Sequence, residues 1–218
     1  MKAFFPCPRG RASARLGPAK RPVKTNDIKT IQEDTLKHLL LLLLSATLLF
    51  SATGCTTAYK AAVDERSIGT QTDDEIMTAE IKADFLQDEL IKYMDFDAAV
   101  YDGHAYVLGE YESQQQVARS VQIARAVDGV RAVTTYMLPK KDDELCGTTD
   151  NLLLYGKIKK ELIADEDVKS TNVNTKVIQC NVVLLGIVGS QAEADRAVNH
   201  AKGVDGVRSV KSFLRVAR

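Results

Sequence analysis

One displacement constrains this chain more than its length or composition does. Shifted by 77 residues against itself, the sequence aligns without a gap. The register pairs Asp73 with Asp150, Ile81 with Ile158, Lys82 with Lys159, Asp88 with Asp165, Leu108 with Leu185, Gly109 with Gly186, Arg119 with Arg196 and Val133 with Val210. Its strongest block is VDGVR, at Val127–Arg131 and again at Val204–Arg208. A gapless register of that length marks a tandem duplication, and two copies are too few for a stacked solenoid. The 218 residues therefore hold two related domains.

Each copy has the same internal rhythm. Ile76, Ala79, Ala83, Leu86 and Leu90 recur at three- and four-residue steps, which predicts one helix. Asp73 or Asp74 suits its N-cap, and Glu75 and Glu80 favour its N-terminal half. Two short strands follow, around Ala98–Tyr101 and Ala105–Gly109, joined at the hairpin dipeptide Asp102–Gly103. Val117, Val121 and Ala124 mark a second helix, ended by Asp128–Gly129. Val130–Leu138, with β-branched Val133, Thr134 and Thr135, reads as a third strand stopped by Pro139. The expected class is α+β: two tandem αββαβ domains, each a small three-stranded mixed sheet packed against two helices. The copies occupy residues 73–140 and 148–218, with 141–147 as their linker.

The apolar run at Leu39–Phe50 bears on compartment. Twelve residues at about 1.5 Å each reach only about 18 Å, short of a bilayer core of about 30 Å. That is the length of a signal peptide's apolar region, with Lys37 and His38 as its polar flank. The competing reading is a core helix ending at a buried cysteine, but six successive leucines leave no polar face for water. Ala52, Thr53 and Gly54 before Cys55 resemble a lipobox, in which the thiol is acylated and cleavage falls before it. Ala52 stands where that pattern prefers Leu. Thr56, in place of the Asp that retains lipoproteins at the inner membrane, points to the outer membrane. The expected organisation is a signal region at 1–54 and a lipidated linker at 55–72. Translation is expected to begin at Leu36, which gives a signal of ordinary proportions.

The glycine after the second strand (Gly109, Gly186), the helix ending in VDGV and the αββαβ order together resemble the BON domain. DERSIGTQTDDE at Asp64–Glu75 and VKSTNV at Val168–Val173 resemble segments of the two domains of dual-BON outer-membrane lipoproteins. The resemblance covers residues 55–218, the whole expected mature chain.

No catalytic constellation is visible. His38, His104 and His200 fall at unmatched repeat positions or in the signal, and no CxxC pair supports zinc. GxGxxG, P-loop and GxSxG motifs are absent, so no cofactor is expected. Asp88–Glu89 and Asp165–Glu166 recur at a predicted helix end and read as solvated turns. Cys146 and Cys180 are candidates for a disulfide between the inter-domain linker and the second hairpin, where Cys180 replaces the glycine matching Gly103.

Residues 1–54 hold nine Lys/Arg and three Asp/Glu, so the expected mature chain has 20 basic against 26 acidic residues. A chain that acidic is not a general nucleic-acid binder. The copies differ sharply: residues 73–139 carry five basic and thirteen acidic residues, residues 148–218 eleven basic and eight acidic. Lys157, Lys159 and Lys160 adjoin the apolar run Leu152, Leu153, Leu154 and Tyr155. Two readings fit: a basic, apolar surface for anionic lipid, or a core run with a solvated back. The resemblance implies the first, because dual-BON lipoproteins bind anionic phospholipid through this helix and place an exposed Trp where Leu153 stands. It implies a non-enzymatic outer-membrane lipoprotein supporting membrane integrity. The alternative is an adaptor for envelope-assembly or division proteins.

Overall fold

A computed structural model describes residues 63–141 and 146–217; the apolar run, the expected start at Leu36 and Cys55 lie outside them. The first domain runs α1 (Ile68–Gln87), a 3-10 turn (Tyr93–Asp95), β1 (Phe96–Tyr101), β2 (His104–Tyr111), α2 (Gln114–Ala126) and β3 (Ala132–Pro139). The second repeats it as α3 (Thr148–Ala164), β4 (Asn174–Ile178), β5 (Asn181–Val188), α4 (Gln191–Gly203) and β6 (Ser209–Val216). In each domain the hairpin is antiparallel and the last strand joins its second strand in parallel, so the sheets are mixed, in orders β1-β2-β3 and β4-β5-β6. This is the expected α+β architecture.

The first helix departs from expectation in both start and phase. It begins at Ile68, where the Ser67 hydroxyl accepts the Thr70 N–H, so neither Asp73 nor Asp74 is its cap. Its core stripe is Met77, Ile81 and Phe85; Ile76, Ala79, Ala83, Leu86 and Leu90 all face solvent. Two stripes compete for one core. Met77, Ile81 and Phe85 line three bulky side chains at four-residue steps, whereas the other stripe includes two alanines, which release little apolar area at about 25 cal/mol per Å².

Asp74 instead reaches across to the β1–β2 hairpin. Its carboxylate accepts the backbone N–H groups of Asp102 and Gly103, at 2.7 and 2.9 Å, and pairs with buried Arg66. Asp102 and Gly103 are both left-handed, with φ of 51° and 65°, as a two-residue I′ turn requires. The second domain repeats the device with different residues. Asn151, at the position of Asp74, accepts the Cys180 N–H at 2.9 Å, and the turn residues Gln179 and Cys180 have φ of 49° and 59°. Cys180 is joined by a disulfide to Cys146, just ahead of α3, with 5.6 Å between their Cα atoms.

Gly109 and Gly186 mark where the central strand meets the chain entering the hairpin. Their φ values are 143° and 139°, and a Cβ there would run into the carbonyl oxygen of Asp95 or Asn172. Only glycine permits that approach and that backbone angle.

The central strands bury both faces. Ala105 and Val107 point to the helix-side core with Ile81, Phe85 and Ile123, while alternate residues Tyr106 and Leu108 pack with Val183 and Leu185 of the other domain. Val182 and Leu184 likewise serve the second core with Ile158, Leu162 and Ala197. The order of layers is thus helices, sheet, sheet, helices. Charge also ties the sheets: Lys176 pairs with Asp97 and Arg215 donates to the Tyr101 carbonyl at 2.7 Å. Burial acting alone would raise the Asp97 carboxyl; the Lys176 ammonium, with Lys82 at 2.7 Å, overrides it and holds the carboxyl below the usual range.

Candidate functional site

With the central strands buried on both faces, the outer faces of the helices are among the surfaces each domain offers a partner. On α3, Leu154, Ile158 and Leu162 turn inward at four-residue steps, which fixes the rest of the helix. Leu152, Leu153 and Ile163 then stand in solvent, 68, 59 and 67 % exposed, with Lys157 and Lys160 exposed between them. Leu152, Gly156, Lys160 and Ile163 follow one line along the helix, spaced four, four and three residues apart. Gly156 has open space where a side chain would be, so the centre of this face is backbone flanked by leucines and lysines.

Two of the six residues expected to meet lipid are elsewhere. Leu154 is 5 % exposed and packs with Cys146 and Cys180, so it belongs to the interior. Lys159 folds back over its own domain, its ammonium donating to the carbonyl of Ser170 at 2.9 Å and of Val173 at 3.4 Å. Burial lowers its pKa from the ordinary lysine value. It fastens the loop between α3 and β4, and a headgroup would have to displace those carbonyls. Leu152, Leu153, Lys157 and Lys160 remain together on the outer face. Gly156 and Ile163 join them, although the contiguous run 152–155 does not point to them, because neighbours on a helix surface lie three and four residues apart.

The groove between α3 and α4 flanks this face. Asp165 accepts from His200 at 2.7 Å and lies 3.5 Å from Arg196, which also pairs with Asp167 at 2.8 Å. The His200 hydrogen bond, aided by the Asp167 N–H and Arg196, holds the Asp165 carboxyl below its usual range. In the first domain Asp88 does the same: Arg119 at 2.7 Å, with the N–H groups of Leu90 and Ile91, keeps it ionised. These recurring carboxylates tie helices and turns. His104 stacks on Tyr106 and shares a 2.8 Å hydrogen bond with Thr134. Among the described residues no group of three or more His, Cys, Asp and Glu could hold a metal ion, and no helix is long and apolar enough to cross a membrane.

At the positions of Leu153, Gly156, Lys157, Lys160 and Ile163, the first domain carries Ile76, Ala79, Glu80, Ala83 and Leu86. The large apolar residues persist between copies, Glu80 is replaced by Lys157 and Ala83 by Lys160, and the acids Asp73 and Asp84 keep their sign as Asp150 and Glu161.

Comparison with known proteins agrees with the repeat. The BON domain model matches residues 73–138 and 153–218. The chain is 34 % identical over 150 residues to osmotically-inducible protein Y of Escherichia coli K12, spanning 68 % of this chain and 75 % of that protein. It is 29 % identical over 160 residues to the outer membrane lipoprotein DolP of Haemophilus influenzae, spanning 72 and 81 %. A 21 kDa hemolysin of Actinobacillus pleuropneumoniae is 26 % identical over 149 residues, spanning 68 and 76 %.

Proposed function

Because the chain belongs to the BON-domain family, we propose that it is a non-enzymatic outer-membrane lipoprotein, anchored through an acylated Cys55, that binds anionic phospholipid with its second domain. The observation that carries this reading is the outer face of α3, where Leu152, Leu153 and Ile163 are exposed beside Lys157 and Lys160. Lysines meet headgroups at about 1 kcal/mol each, and the apolar tips enter the acyl boundary. Leucine is a weaker interfacial anchor than the Trp of similar lipoproteins, so the lysines carry the larger share. Two or more acyl chains at Cys55 already hold a protein stably. The second domain then selects the lipids on which the tethered molecule settles and so supports outer-membrane integrity. Likeness to the lipoprotein DolP supports the anchor and the location.

The test is cosedimentation of residues 55–218 bearing Cys55→Ser with phosphatidylglycerol vesicles. Lys157→Glu with Lys160→Glu is expected to weaken binding at least about tenfold, while phosphatidylcholine vesicles bind neither form. Equal binding by both forms contradicts the proposal. A second reading, an adaptor for envelope-assembly or division proteins, is favoured by the exposed apolar stripe of acidic α1.

A further inference from the structure

The stripe on α1 is spaced like a seam between helices. Ile76, Ala79, Ala83 and Leu86 alternate steps of three and four residues, the spacing that keeps one line of side chains facing a partner helix. Met77, Ile81 and Phe85 already fill the core, so α1 is apolar on two sides, and on the second Ile76 is 52 % and Leu86 67 % exposed. Exposed Asp73, Glu80 and Asp84 line one edge of the stripe.

The outer face of α3 keeps most of this apolar line and carries Lys157 and Lys160 on it, with Asp150 and Glu161 retained along the edge. Both derive from one ancestral helix, so Ile76 corresponds to Leu153, Ala79 to Gly156 and Leu86 to Ile163, whereas Glu80 corresponds to Lys157. The small residues Ala79, Ala83 and Gly156 let two backbones approach closely. Within one molecule the faces cannot meet, because α1 and α3 lie on the outer sides of two sheets packed against each other. From this we infer that α1 of one molecule docks against α3 of a second copy, with Glu80 and Asp84 facing Lys157 and Lys160. Pairing α1 with α1 would set carboxylate against carboxylate, and Lys157 and Lys160 at the middle of the α3 stripe are better met by Glu80 and Asp84 than by a second set of lysines, so charge favours the unlike pair. The contact joins different patches and leaves one of each free. It therefore propagates into chains of molecules rather than closing as a dimer. Confinement of anchored molecules to a surface raises the effective concentration for it.

Docking does not require that α3 bind lipid, and the experiment separates the two. The full-length chain, expressed in a Gram-negative envelope with the photo-cross-linking residue benzoylphenylalanine replacing Ile76, is expected to form adducts of twice its mass and more. Their joined peptides are expected to map to residues 148–164. Glu80→Lys with Asp84→Lys is expected to lower the adducts at least about fivefold, and adding Lys157→Glu with Lys160→Glu to that chain to restore them. No self-adduct, adducts only to α1 or to other proteins, indifference to the reversal, or failure of the swap to restore adducts each overturns docking. In the vesicle assay Glu80→Lys with Asp84→Lys leaves lipid binding intact, so loss of docking and loss of lipid binding are read independently.

Discussion

The two domains are one backbone held by two sets of chemistry. Each hairpin turn is grasped by a side chain from the preceding helix, but Asp74 accepts two N–H groups where Asn151 accepts one, and only the second turn adds a disulfide. Each central strand needs its glycine, and each helix pair is bridged by an Asp–Arg contact, Asp88 with Arg119 and Asp165 with Arg196. What differs is the outer face of the leading helix, acidic in one domain and carrying Lys157 and Lys160 in the other. Duplication kept the features that close the fold and freed the solvent face to take a second role.

The largest expected effect tests the shared part. Gly109→Val and Gly186→Val should each cost more than about 4 kcal/mol, since a side chain there meets backbone at a left-handed φ. Hydrogen exchange resolved by domain is expected to show comparable loss of protection in the altered domain; tolerance of either change would break the equivalence. Next comes the disulfide, present in one domain only. Its 34-residue separation gives a loop-closure contribution of about 3–4 kcal/mol. Reduction, or Cys146→Ser with Cys180→Ser, should lower exchange protection in the second domain and leave the first unchanged. Two free thiols in the purified protein would contradict the link. The smallest effect concerns the join. Asp97 is held below its unfolded pKa, so its contribution is present above about pH 4 and is lost as pH falls through the folded value. Asp97→Asn should cost about 1 kcal/mol at neutral pH, the partial exposure of the pair discounted. The difference from the unaltered protein should vanish in acid, which urea denaturation at two pH values measures.

Most of the fold was legible in the sequence because repetition constrains it twice. Asp102–Gly103, the glycine at 109 and the VDGVR block each specify a local backbone; the last two recur 77 residues on, and the turn keeps its left-handed backbone there as Gln179–Cys180. The phase of α1 was not legible. A helix with apolar residues on two sides gives two periodic stripes, and periodicity does not say which meets the core. The same ambiguity blurred the site: Leu152, Leu153 and Leu154 are adjacent in sequence but 100° apart around a helix, so one of the three had to be interior. The fate of Lys159 depends on carbonyls eleven and fourteen residues away, which no helical pattern records. Joining of the sheets was foreshadowed only by the unbroken apolar run of β5, since a strand that faces water on one side alternates.

The divergence of the outer faces is tested most directly with a single indole. The chain has no tryptophan, so one introduced at either equivalent position reports alone. With phosphatidylglycerol vesicles, in a chain that keeps Glu80 and Asp84 and is dilute enough that copies do not meet, emission from Leu153→Trp is expected to shift to the blue and escape an aqueous quencher, while Ile76→Trp stays quenchable and unshifted. An unresponsive indole at 153, or equal shifts at both positions, would contradict the assignment of lipid contact to the second domain.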